Sequence, residues 1–495
     1  MKGRTTSWIT RNIKPASPMP ELAQAVSFAI WQRQWEVCDL AGDRLRSREI
    51  SDKVRALFQN NPGYRIASLL FDCQVSIYSA EYSKALKLAE EALAVSTKNN
   101  DDSRLAEIYG QLSQAHQFLS DYEKAAEYRL RAADLYQSKN EQTLLGNTWS
   151  SLGLICWKTG KYREALSYLD KAREIFKNNR DDRSMALVLT NTANVLLATD
   201  EAGQAHEQYL KALEICHRIG DRAKQTSICN NLGSIMLRQA RYREALQYYQ
   251  QGLEIDRALG NVTGQATKLN NIAVMLGSMG RHDEAMANFE QALKIDTATG
   301  NLDGQMRKLG NIATLYAIKN DHPRALEFID RALDISRRIN SLGYLGQFLS
   351  QKLGYLGEIG DYNRAKEVEE EALRITKSSG NLSQLTTLYS ALADIYLETG
   401  ETAKALELSS LAVGLIKDHQ MFEVYKENSF FSHHLILEKL GRTEEACEHL
   451  RMAYEEVQDR TRNITDPEER RGFLTKNRTI AMIVEKWERT HKKEA

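Results

Sequence analysis

Residues 221–260 read DRAKQTSICN NLGSIMLRQA RYREALQYYQ QGLEIDRALG, and the same design returns every forty positions. Its third block, RYREALQYYQ at Arg241, has counterparts before it in EYSKALKLAE at Glu81, DYEKAAEYRL at Asp121, KYREALSYLD at Lys161 and EAGQAHEQYL at Glu201. RHDEAMANFE at Arg281, DHPRALEFID at Asp321, DYNRAKEVEE at Asp361 and ETAKALELSS at Glu401 continue the series after it. A fixed period of this size means one supersecondary unit stacked on copies of itself, each unable to bury its apolar face alone.

Within 221–260 the apolar spacing predicts a first helix from Arg222 to Arg238 and a second from Tyr242 to Leu259. Asp221 and Asn261 stand where N-caps belong. Gly220, Gly260, Gly300 and Gly380, with Asn100, Asn140 and Asn340, stand where a left-handed residue ends the second helix. Gly160, Gly280, Gly360 and Gly400, with Asn320, mark the turn between the two helices. Small residues recur where helices must cross closely. The second helices carry Ala85, Ala125, Ala165, Ala205, Ala245, Ala285, Ala325, Ala365 and Ala405, with Ala or Gly again seven residues on. Positions seven apart share a helix face, so these form a seam. Gly153, Ala193, Gly233, Ala273, Ala313 and Ala393 are its first-helix side. Trp149, Leu189, Leu269, Leu309, Leu349 and Tyr389 fill the space beside it.

The composition agrees. No proline falls between Pro62 and Pro323, so a long stretch is kept helical. Pro323 follows Asp321 at a helix start. Basic and acidic residues are level at 66 each, which gives no bulk attraction to nucleic acid or an anionic membrane. The six scattered cysteines read as reduced thiols. No signal-type leader and no 18-residue apolar run occurs, so the expected setting is cytoplasmic, away from the membrane.

This pattern resembles the tetratricopeptide repeat, carried by Leu152-Gly153, by Leu232-Gly233 with Ala245, and by Ala165 with Ala172. The resemblance covers about residues 63 to 458. Its period is 40 rather than 34 and the usual proline after the second helix is missing, as in the repeats of kinesin light chains, spindle-orientation adaptors and many bacterial signalling proteins. It implies an all-α, right-handed superhelical solenoid of helix-turn-helix repeats. The expected organisation is an N-terminal arm over 1–19 and a degenerate capping repeat over 20–62 with Trp31 and Trp35. An array of about ten repeats over 63–458 and a capping helix and tail over 459–495 follow. In the tail an amphipathic helix is expected from Asp466 to Glu488, with Phe473, Leu474, Ile480, Ile483 and Trp487 apolar.

First helices line the inner face of such a stack. There Asn191, Asn231, Asn271 and Asn311 recur at intervals of forty, with Gln111 and Gln351 as near equivalents and Asn194, Asn230 and Asn270 beside them. An Asn amide offers two donors and an acceptor, so a ladder of them can bond an extended peptide backbone whatever its side chains. In tetratricopeptide families that hold peptides, Asn beside the Leu-Gly pair does this, and the resemblance carries the role to Asn191, Asn231, Asn271 and Asn311. The alternative is that each amide satisfies a neighbour within the stack. Arg238, Arg307 and Lys158 would add positive charge.

Enzyme motifs fail on inspection. Gly153 to Lys161 lacks the spacing and the preceding strand of a phosphate loop. Gly354, Gly357 and Gly360 lie in a helical setting without dinucleotide spacing. His433 and His434 are adjacent and so point to different sides of a helix. No catalytic residue, metal or cofactor is expected. The expected function is a non-catalytic scaffold that binds a protein or peptide segment along the inner face. A second class is a regulatory or sensor subunit that changes superhelical pitch and controls a separately encoded effector, such as a caspase-like protease. The four glycines Gly343, Gly346, Gly354 and Gly357 and the effector-type tail motivate that class. A third is self-assembly through the end units.

Overall fold

The structure, a computed structural model, describes residues 61–199, 201–239, 241–418, 426–462 and most of 464–491, with single positions between 30 and 54. The arm over 1–19, most of the capping unit over 20–62 (Trp35 included) and the tail's Asp466 lie outside the described residues. Trp31, Ile50 and Val54 are described, and they bury against Ala67 and Val75 of the first complete helix.

The chain forms two compact units, residues 1–219 and 220–495. The first holds α1 (Pro62–Tyr78), α2 (Tyr82–Asn99), α3 (Leu105–Phe118), α4 (Tyr122–Ser138), α5 (Gln142–Lys158), α6 (Tyr162–Asn178), α7 (Asp182–Ala198) and α8 (Ala202–Arg218). The second begins with α9 (Arg222–Arg238), α10 (Tyr242–Leu259), α11 (Val262–Ser278), α12 (His282–Ala298), α13 (Leu302–Ile318) and α14 (His322–Arg338). It continues through α15 (Leu342–Glu358), α16 (Tyr362–Ser379), α17 (Leu382–Glu398), α18 (Thr402–Asp418), α19 (Lys426–Lys439) and α20 (Thr443–Thr461). The tail is helical over α21 (Pro467–Lys476) and α22 (Arg478–His491), on either side of position 477. The described residues are all-α, with no strand. Each odd-numbered helix from α1 to α19 packs chiefly on the even-numbered helix after it, giving a solenoid of helical hairpins.

Punctuation sets the hairpin. Asp221 accepts the Lys224 amide, Asn261 that of Gly264 and Asp321 that of Arg324, so these side chains satisfy orphan N–H groups of the first turn. At the turn after α5, Gly160 takes φ +75° while the Lys161 amide donates back to the Cys156 carbonyl at 2.8 Å. That bond ends the helix in the left-handed fashion. Ala80, Ser120 and Arg180 take the same positive φ without being Gly or Asn.

The small-residue seam is the core of each hairpin. Every alanine of the second-helix series from Ala85 to Ala405 is buried. A Cβ on Gly153 would lie 2.7 Å from Leu169, and one on Gly233 would lie 2.6 Å from the Tyr249 ring. The bulky column is buried at Leu189, Leu269, Leu309, Leu349 and Tyr389. Trp149 departs from it: it is half-buried, stacked on Tyr168 at 5.5 Å with the Lys171 ammonium 4.8 Å above its ring.

The glycine-rich α15 divides in two. Gly346 faces Thr376 Oγ1, 3.0 Å from where its Cβ would be, and Gly357 faces Ile395 at 3.2 Å, so close packing accounts for both. Gly343 and Gly354 have open space there. In the tail, Ile480 and Ile483 are buried and Trp487 stacks on Tyr454 at 4.8 Å, so α22 seals the end of the last hairpin.

Candidate functional site

Odd-numbered helices carry the predicted asparagines, and the two units divide them. In the first unit Asn191 on α7 is buried, and its amide donates to Ser150 Oγ on α5 at 3.3 Å. Asn194, one turn later, accepts the Tyr209 hydroxyl from α8. Both are thus held within the stack. Gln111 on α3 donates to Gln74 on α1 at 2.8 Å in the same manner.

In the second unit the amides pair with one another. Asn271 on α11 donates to Asn230 Oδ1 on α9 at 2.7 Å, and Asn311 on α13 donates to Asn270 Oδ1 on α11 at 2.9 Å. Asn270 in turn donates to Asn271 Oδ1 at 3.2 Å. Gln351 on α15 carries the series on by donating to Thr314 Oγ1 at 3.3 Å. The column therefore does structural work, tying each first helix to the one before. An amide holds two N–H groups and two lone pairs, so Asn230, Asn270, Asn271 and Asn311 keep capacity beyond these bonds.

Beside the column lies a concavity of about 630 Å³ lined by Asn230, Asn231, Ser227, Thr263, Thr267 and the edge of Lys268. The repeat pattern alone does not single out Ser227, Thr263 or Thr267. For Ser227 and Thr267 the signal is a hydroxyl one turn before Asn231 and Asn271 of the column. The lining is neutral apart from Lys268, whose charge is already matched.

That match belongs to a device that occurs twice. Asp256 on α10 is fully buried, 3.3 Å from Lys268 Nζ, and accepts from Asn261 Nδ2 at 2.8 Å and Thr226 Oγ1 at 3.0 Å. Forty residues on, Asp296 is fully buried, 2.8 Å from Lys308 Nζ and accepting from Asn301 Nδ2 at 2.8 Å. A Cβ on Gly264 or Gly304 would stand 2.5 or 2.4 Å from the respective carboxylate, so glycine is required there. These pairs fix α10 to α11 and α12 to α13, and it is α11 and α13 that present Asn270, Asn271 and Asn311.

The basic residues do not converge. Arg238 is exposed at the end of α9, and Arg307 is paired with Asp303 on its own helix at 3.0 Å. Lys158, in the first unit, lies over Trp157 at 5.0 Å. His433 and His434 are both buried: His433 Nδ1 bonds Ser409 Oγ and His434 Nδ1 bonds the Ala446 carbonyl, each at 2.8 Å. Among the described residues no three His, Cys, Asp or Glu side chains are grouped to hold a metal, and no helix is long and apolar enough to cross a membrane. Cys73, Cys156, Cys216 and Cys229 are buried and Cys447 is exposed, all outside any disulfide.

A family profile described as tetratricopeptide repeat matches residues 144–218, 184–258 and 264–338. No curated protein matches the chain. Among solved structures, a Rap protein complexed with competence and sporulation factor is 13% identical, over 80% of this chain and 99% of its own, with a TM-score of 0.50. The apo quorum sensor NprR from B. thuringiensis is 12% identical, over 67% and 90%, also at 0.50. BtubC (BKLC) from P. vanneervenii is 24% identical, over 45% and 90%, at 0.39. For the Rap protein and NprR, at these identities, the likeness is one of fold.

Proposed function

From the premise that this chain is a tetratricopeptide-repeat protein, we propose that it is a non-catalytic scaffold whose first-helix face in the second unit holds an extended peptide or protein segment. The observation that carries this reading is the neutral strip of Asn230, Asn231, Asn270, Asn271 and Asn311 beside hydroxyls at 227, 263 and 267, bordering a concavity. Pairing orients the amides in advance, which lowers the ordering cost of binding. Amides and hydroxyls without net charge suit a peptide backbone better than a phosphate or a carboxylate. Asn191 and Asn194 form a separate, more enclosed group in the first unit, and we assign them to structure first.

The Rap protein complexed with competence and sporulation factor supports only the idea that this architecture can carry a ligand. Buried thiols outside any disulfide suit a reducing, cytoplasmic setting with a protein or peptide partner. The regulatory reading, with a separate effector protein, has one favouring observation. Gly343 and Gly354 weaken α15 by roughly 1 kcal/mol each relative to alanine, with no packing partner to require them.

Affinity capture with the wild-type chain and with Asn231→Ala/Asn271→Ala tests the main reading. Partners lost from the double variant are ligands of this face. An unchanged set would reduce the amides to structure.

A further inference from the structure

In a repeat array each helix touches its neighbours in the stack. One contact of the second unit does not follow that rule. Arg478, at the start of α22, donates through Nη1 to Glu358 Oε2 at the end of α15, across 2.6 Å and 120 residues of sequence.

Glu358 shares its register with Glu398 on α17, forty residues on, and Asp394 stands one turn before Glu398. The charges of Glu358 and Glu398 both act on Asp394, whose carboxylate accepts the Ser432 hydroxyl from α19. Partial desolvation first raises the Asp394 carboxyl above the usual range, the Ser432 bond opposes this, and the two like charges add to it. Its side chain still meets solvent, so screening moderates the effect. The first-helix face therefore changes character along its length, from neutral amides at α9–α13 to carboxylates at α15 and α17. Gly354, with open space where a side chain would stand, lies between them.

The two ends of α22 are held differently. Ile480 and Ile483 are buried, Trp487 stacks on Tyr454, and Lys486 pairs with Glu438 at 2.5 Å, which seats the body of the helix. Arg478 and Glu358 are 63% and 49% exposed. A solvated pair of this kind biases an equilibrium by about fivefold at most. Arg478 is thus a weak, exchangeable occupant on a firmly seated helix.

We propose that α22 is an internal ligand: Arg478 occupies the acidic end of the first-helix face, and a bound segment displaces it with a basic side chain of its own. The proposal rests on the segment-holding reading of that face and adds the chemistry of the segment, a basic residue placed C-terminal along the stack from the amide strip. Exchange frees the end of α15, the helix in which Gly343 and Gly354 have open space where a side chain would stand, and so couples occupancy to the shape of that repeat.

The test uses the full chain with fluorescein-labelled nona-arginine as probe and nona-glutamine as neutral control, at fixed ionic strength. Arg478→Ala is compared with Arg489→Ala, which removes the same charge from the same helix but pairs with Glu485, one turn away on that helix. The expected result is nona-arginine affinity about three- to fivefold higher for Arg478→Ala than for Arg489→Ala, with the gain lost in Arg478→Ala/Glu358→Gln. Equal affinities in the two single variants, or a gain that survives Glu358→Gln, would overturn the proposal. If Asn231→Ala/Asn271→Ala loses its partners while the two arginine variants match, the groove reading stands and the internal ligand falls. An arginine-specific gain beside an unchanged capture set keeps the Arg478 exchange and removes the amide strip.

Discussion

The side chain of Asn311 donates to Asn270 Oδ1 across 2.9 Å, and Asn271 bears the same relation to Asn230 one repeat earlier. Asparagines that read as a ladder for a ligand are, in the first instance, rungs between neighbouring first helices. The two roles separate by measurement. Asn271→Ala removes bonds to Asn230 and Asn270, so unfolding in urea should show a loss of about 0.5–1.5 kcal/mol. If the amide also serves a ligand, affinity for the captured segment should fall by about tenfold as well. A stability loss with unchanged affinity assigns Asn271 to structure alone.

The buried pair of Asp296 and Lys308 makes a second prediction. Lys308→Met leaves a fully enclosed carboxylate without its cation and should cost about 3–5 kcal/mol. Asp296→Leu/Lys308→Met removes both charges and should recover most of that loss. A double variant as unstable as the single one would mean that packing, and not the stranded charge, sets the cost.

Glycines in first helices should respond with opposite signs. Gly233→Ala pushes a methyl to 2.6 Å from the Tyr249 ring and should destabilise by about 1–3 kcal/mol, as should Ala245→Leu at the same crossing. Gly354→Ala meets nothing within 4 Å and should stabilise by about 0.5–1 kcal/mol through helix propensity. Thermal melting that shows the same sign for Gly233→Ala and Gly354→Ala would refute the assignment of the seam.

Histidines set a pH dependence at the last hairpin. Burial first, then the charges of His449, Lys417 and Arg442, lower the His433 pKa to about 4, against a partial opposing pull from Glu445. Burial also lowers His434, which packs near Lys486 and Glu438, and the bond to the Ala446 carbonyl offsets part of the effect. Folded pKa values below the ordinary 6.5 mean that the unfolded chain binds more protons as acid is added. Stability is therefore complete above about pH 6.5 and falls as pH drops toward 4, by about 2–3 kcal/mol for His433. Other carboxylates titrate in the same range, so the comparison is with His433→Gln, whose melting temperature should fall less between pH 7 and 5. Parallel slopes would exclude His433 as the cause.

The punctuation of this fold is legible in the sequence because it depends on backbone geometry that few residues satisfy. Gly160, Gly260 and Asn100 take the left-handed conformation, and Asp221 and Asn261 cap. Ala80, Ser120 and Arg180 hide the same turn, since hydrogen bonds of the hairpin impose it at a cost that their side chains do not advertise. The forty-residue register puts Trp149 in the bulky buried column, yet it is only half-buried, stacked on Tyr168 beneath the Lys171 ammonium. Asp256 and Lys268 carry no sign in the sequence of being a buried pair. The glycines at 264 and 304, each in a first turn and each eight residues after its aspartate, are the signal that could have found them. Periodicity gives neighbours within a stack, so it does not show Arg478 reaching Glu358.

The central claim is that the amide and hydroxyl strip of α9, α11 and α13 is where this protein holds another chain. Its most direct measurement is photo-cross-linking from benzoylphenylalanine placed at Ser227, at Thr267 and, as the control, at the exposed Glu290 of α12. The account predicts adducts from 227 and 267 that map to nearby positions of one linear segment, and none from 290. Adducts arising from 290 alone would contradict it.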